Sequence, residues 1–112
     1  MTHETVVEMP DFQGRAKLLL TDAEREELID LLSENPEAGI GLGNGLRKVR
    51  FARKGGGKSG GFRTIHFYKS GVGPVYLLTM FAKNEKANLT AGETAAMIRL
   101  GEELSAAQGR RQ

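Results

Sequence analysis

Apolar and polar positions change their spacing several times along the chain. Val6 and Val7 lie in a short apolar patch over residues 5–8, which reads as a strand. Phe12, Ala16 and Leu19 then recur at helical intervals, with Asp11 placed as an N-cap. A second helix is predicted from Thr21, because Thr21 and Glu24 have capping-box spacing. Leu28, Leu31 and Leu32 form its stripe, with Ile29 alongside, and Asn35-Pro36 ends it. Two helices this nearly contiguous predict a helical hairpin.

The pattern then shifts. Gly39, Gly41, Gly43 and Gly45 predict a loop. From Leu46 the period becomes two: Val49 and Phe51 alternate with Lys48 and Arg50, a half-buried strand with a cationic outer face. Glycines 55–57, 60 and 61 predict a turn carrying Lys58. Residues 62–68 are aromatic and β-branched, a second strand. Gly71, Gly73 and Pro74 turn the chain again. Residues 75–82 are apolar at both parities and predict the most buried strand. A final helix opens on the capping box of Thr90 and Glu93, with Met97, Leu100 and Leu104 as its stripe. Residues 106–112 read as a frayed tail.

The order strand, helix, helix, three strands, helix predicts an α+β fold. A small antiparallel β-sheet should carry two N-terminal helices and a C-terminal helix, all packed on one face. At 112 residues, with no repeat or long linker, the chain is one domain spanning residues 1–112.

Composition adds little until charge is mapped by position. The net charge is only +2, yet residues 38–84 contain no Asp or Glu. That window holds Arg47, Lys48, Arg50, Arg53, Lys54, Lys58, Arg63, Lys69 and Lys83. The middle therefore carries +9 and the flanks −7, a field suited to phosphates. Cysteine is absent, which excludes disulfides and thiolate zinc sites and fits a reducing compartment. The first residues lack the apolar run of a signal peptide, and no stretch is long enough to span a membrane. The expectation is a soluble cytoplasmic protein with no membrane partner.

Several motifs can be set aside. Gly57-Lys58-Ser59 looks like the end of a phosphate-binding loop, but Ala52 stands where its first glycine belongs, and a strand pattern follows. The glycines at 39–45 do not complete a dinucleotide fingerprint. His3 and His66 are the only histidines, and no acid lies near His66, so neither a metal site nor a serine triad is indicated. No cofactor is expected.

The basic stretch remains. Strand parity puts Lys48 and Arg50 on one face and Arg47 on the other. A hairpin would gather Arg53, Lys54, Lys58 and Arg63 at one end. Such a cluster can bind RNA, and it can also cleave it. Attack of a ribose 2′-hydroxyl on the adjacent phosphate needs a proton acceptor, a proton donor and positive charge on the transition state. A lysine beside other cations can serve as the base.

The runs Gly45-Leu46-Arg47-Lys48, Gly57-Lys58-Ser59-Gly60-Gly61-Phe62-Arg63 and Ala82-Lys83-Asn84-Glu85-Lys86 occur in this order. Together with Pro36-Glu37-Ala38-Gly39, they resemble the RelE/ParE superfamily of toxins, and most closely its HigB-type branch. The resemblance covers about residues 6–104. It implies a RelE-like fold and the toxin of a type II toxin–antitoxin pair. It further implies an mRNA interferase: an endoribonuclease that acts without metal in the ribosomal A site and inhibits translation. The implied partners are mRNA, the ribosome and a helix-turn-helix antitoxin, which would dock on the basic face or add a strand to a sheet edge. Arg63 matches the arginine of the family's RNase members. Lys54 and Lys58 match their loop lysines loosely, and Lys83 and Lys86 match the basic residues after the last strand. Asn84 stands where well-known members have Arg, and a C-terminal Tyr is missing near Thr90. The implied catalytic set is Lys54, Lys58, Arg63 and Lys83, with His66 or Tyr68 as alternative bases. Arg47, Lys48, Arg50, Arg53 and Lys86 are assigned to RNA binding. A gyrase-inhibiting toxin of the ParE kind and a non-catalytic RNA- or ribosome-binding protein are the other readings.

Overall fold

The computed structural model describes residues 3–52, 61–86 and 88–110. The elements are β1 (Val6–Glu8), α1 (Pro10–Leu19), α2 (Asp22–Glu34), β2 (Ile40–Gly43), β3 (Leu46–Phe51), β4 (Phe62–Phe67), β5 (Val75–Ala82) and α3 (Ala91–Arg110). Five strands form one sheet in the order β1-β5-β4-β3-β2. The meander β3–β4–β5 is antiparallel, as its short connections require. β1 joins β5 in parallel, so the sheet is mixed. Parallel pairing is possible because both helices α1 and α2 lie in the crossover from β1.

Helix starts follow local chemistry. α1 begins with Pro10 in its first turn and Met9 as N-cap; Asp11 therefore sits inside the helix rather than capping it. Thr21 caps α2 through a complete capping box with Glu24. Thr90 and Glu93 make the same reciprocal pair before α3. α3 continues to Arg110, through much of the stretch expected to fray.

Two further expectations are corrected. The glycine-rich segment 39–45 is not all loop: Ile40–Gly43 pairs with β3 as an edge strand. Asn44 and Gly45, both at positive φ, form its two-residue turn. That Asn-Gly pair was the signal that reveals the hairpin. The helices also do not share one face. Phe12, Ala16, Leu28 and Leu32 pack with Val49, Phe62, Val75, Leu77 and Met80 on one side. Met97, Ile98 and Leu104 of α3 pack with Leu46, Ile65, Phe67, Tyr76, Leu78 and Phe81 on the other. β5 is buried along nearly its whole length, as its double-sided apolar pattern demands. A strand apolar on both faces needs a cover on each, and α3 is the second cover.

The seating of α3 differs from its expected stripe. Leu100 is 40% exposed, and Gly101 meets the sheet instead. A Cβ on Gly101 would lie 2.2 Å from the Phe67 ring, so only glycine allows this approach.

Candidate active site

Register places the basic residues. On β3, Leu46, Lys48 and Arg50 share the α3 side, while Arg47, Val49 and Phe51 share the α1–α2 side. β4 pairs Arg63 directly with Arg50 and Phe62 with Phe51. Arg63 has the same parity as Ile65 and Phe67, so it too lies on the α3 side.

β5 reaches the same side through a β-bulge. Ile65 pairs with Thr79 and His66 with Leu77, which leaves Leu78 as the extra residue. Before the bulge, Val75 and Leu77 belong to the α1–α2 core. After it, Met80 belongs there and Phe81 crosses to the α3 core. Unbroken alternation would have put odd residues on the α1–α2 side to the strand's end. The bulge thus brings Phe81 opposite Arg63, and it gives Lys83 the same parity. The Lys83 amide then donates to the Gly61 carbonyl at 3.1 Å, closing the sheet's end.

A cleft of about 210 Å³ opens there, lined by Arg50, Phe51, Ala52, Gly61, Phe62, Arg63 and Lys83. Its charge is entirely positive. Among the described residues, no carboxylate pairs with Arg50, Arg63 or Lys83. The Nε of Arg63 is buried and has no hydrogen-bond partner among the described residues. A buried charged donor left unpaired is costly, and Arg63 lines the cleft, where an anion would meet its charge. A larger hollow of about 540 Å³ lies at the opposite end of the sheet. Among the described residues, its lining of Glu4, Thr5, Val7, glycines 71 and 73, Pro74 and Gln108 has no cation and one carboxylate, which does not suit phosphate.

Other candidates are engaged elsewhere. Arg47 donates to the carbonyls of Ala38 (3.2 Å) and Gly39 (3.0 Å), pinning the chain after α2. Lys48 donates to Asn88 Oδ1 at 2.7 Å. Lys86 is paired with Glu93 at 2.7 Å and lies over the Phe81 ring. That ion pair and the Thr90 amide hold the Glu93 carboxyl below the usual carboxylate range. Arg53, Lys54 and Lys58 fall outside the described residues. The structure therefore brings together Arg50, Arg63 and Lys83.

His66 and Tyr68 do not join them. His66 is fully buried on the α1–α2 side, with Nε2 at 2.8 Å from the Pro36 carbonyl. Burial lowers its pKa to about 4; the Pro36 hydrogen bond opposes the shift and the Arg47 charge reinforces it. The ring is neutral, and its Nε2–H donates to Pro36. Tyr68 donates to Glu4 at 3.2 Å, beyond the other end of β4. Its pKa is raised, first by desolvation and then by Glu4. No helix among the described residues is long and apolar enough to cross a membrane. Sequence reading overlooked Phe51, whose place in the cleft follows from its pairing with Phe62; strand parity alone offered no sign of it.

A family model described as the RelE toxin of the RelE/RelB toxin–antitoxin system matches residues 12–111. The chain belongs to that family. It is a toxin of a toxin–antitoxin system, and its partner is a cognate antitoxin.

Proposed function

We propose that this RelE-family toxin is a HigB-type mRNA interferase, which enters the ribosomal A site and cuts message during translation in the cytoplasm. One observation carries the reading: a cleft lined by Arg50, Arg63 and Lys83 that no carboxylate neutralises among the described residues, with the Arg63 Nε buried and unpartnered among them. A surface built only for solubility mixes both signs of charge.

The chemistry follows from that arrangement. The ribose 2′-oxygen attacks the adjacent phosphorus while its proton passes to a lysine amine, from Lys54, Lys58 or Lys83. The bond from phosphorus to the 5′-oxygen breaks, and that oxygen takes a proton from a second lysine. The products are a cyclic phosphate and a 5′-hydroxyl. Arg63 donates to the non-bridging oxygens, where charge accumulates. Arg50 and Arg53 hold neighbouring phosphates. No metal is required, because the charge is supplied by guanidinium and ammonium groups. The antitoxin is a helix-turn-helix protein in this reading.

Cell-free translation of a defined message, with gyrase supercoiling assayed in parallel, tests the proposal. Message cut only when translated, with gyrase activity unaffected, supports it. Intact message with inhibited gyrase supports a ParE-like poison instead. Ribosome binding without cutting or gyrase inhibition supports a non-catalytic binder.

A further inference from the structure

Lys83 stands at the second position of the turn that ends β5. The Glu85 amide donates to the Ala82 carbonyl at 3.0 Å, closing the turn. Nothing in the Lys83 side chain fixes it: the residue is exposed and unpaired among the described residues. Its position depends on the backbone, and that backbone is tied to α1.

The tie has four links. Thr79, in the bulge, donates to Asp11. Arg15 Nε lies 3.5 Å from the same Asp11 oxygen. Arg15 Nη1 lies 3.5 Å from Glu85 Oε2. The other Glu85 oxygen accepts the Ala82 amide at 2.8 Å. The chain of contacts therefore leaves β5 at residue 79, crosses one turn of α1, and returns at residues 82 and 85. Lys83 sits within that span.

We propose that Asp11, Arg15 and Glu85 are positioning residues that clamp the end of β5 to α1 and so hold Lys83 in the cleft. The inference rests on the ribonuclease reading for its functional meaning, though the clamp itself has a structural signature. Asp11 is 65% exposed, and Arg15 and Glu85 are both over 40% exposed. Pairs this open add little to global stability. Their effect is local: they limit where the Lys83 backbone can be. Near a reacting phosphate, small displacements matter, because proximity must be maintained to within about an ångström.

Single-turnover cleavage at saturating ribosomes tests the clamp, using wild type, Glu85→Ala, Glu85→Gln, Lys83→Met and the Glu85→Ala/Lys83→Met double variant. Glu85→Ala should slow cleavage by roughly tenfold to a hundredfold, with the half-saturating ribosome concentration unchanged. Glu85→Gln keeps an oxygen for the Ala82 amide but turns an amide NH2 toward Arg15, so it breaks the tie to α1 and should also be slowed. The double variant should be no slower than Lys83→Met, since Glu85 acts through Lys83. An unchanged Glu85→Ala rate, or an additive loss in the double variant, would overturn the clamp. Amide hydrogen exchange at Ala82 and Lys83 is read on the same proteins, independent of activity. Exchange should quicken in Glu85→Ala and, to a lesser extent, in Glu85→Gln; protection equal to wild type in both overturns the clamp. A wild-type protein that leaves translated message intact overturns the ribonuclease reading, and the exchange result then still decides the clamp.

Discussion

Arg50 and Arg63 stand directly opposite each other across β3 and β4. Like charges at such a pair destabilise a sheet by roughly 0.2–1 kcal/mol. No acid among the described residues offsets them. The free protein holds this repulsion at the mouth of the cleft, and a bound phosphate would turn it into attraction. A short oligoribonucleotide should therefore raise Tm, more at low salt than at high salt. The rise should shrink sharply in Arg63→Ala. Thermal shift with and without the oligonucleotide measures this; an equal rise in both proteins would place the binding elsewhere.

His66 predicts a pH dependence of stability. Its folded pKa of about 4 lies below the ordinary histidine value of 6.5. The unfolded chain therefore binds more protons between these values, and stability falls as pH falls through that window. The full contribution is present above pH 6.5 and is worth about 3 kcal/mol at its limit. Urea midpoints for wild type should decline from pH 7 toward pH 4. In His66→Gln the slope between pH 6.5 and pH 5 should be flatter, measured by the same melts.

Gly101 should tolerate no side chain. A Cβ there meets the Phe67 ring at 2.2 Å, and a ring in a packed core cannot retreat far. Gly101→Ala is expected to cost roughly 1–3 kcal/mol, despite the better helix propensity of alanine. Chemical denaturation reads the loss. A stabilised variant would mean that α3 is not seated where Gly101 places it.

Much of the fold was legible in local patterns. Both capping boxes sit at true helix starts, and the alternation from Leu46 and the apolar run at 75–82 became β3 and β5. What escaped was set by long-range packing. The parallel pairing of β1 depends on where two helices return the chain, which no local pattern encodes. The placement of α3 was implied by the double-sided β5, although its stripe pointed to Leu100 rather than Gly101. The basic patch was visible as a charge window. Strand parity separated Arg47 from Arg50 but did not show which face would carry the cleft, because that depends on where α3 packs. The bulge at Leu78 was equally silent, since one extra residue in a run of apolar ones leaves no mark.

In the proposed reaction, Arg63 stabilises the transition state for cutting translated message. Primer extension on a message translated in a cell-free system tests it most directly, with wild type beside Arg63→Ala. Both proteins should show the same far-ultraviolet circular dichroism. Wild type should give cuts at positions set by the ribosome, and Arg63→Ala should lose them by roughly 10²–10³-fold. Cuts of equal strength from a folded Arg63→Ala protein would rule out this role for Arg63.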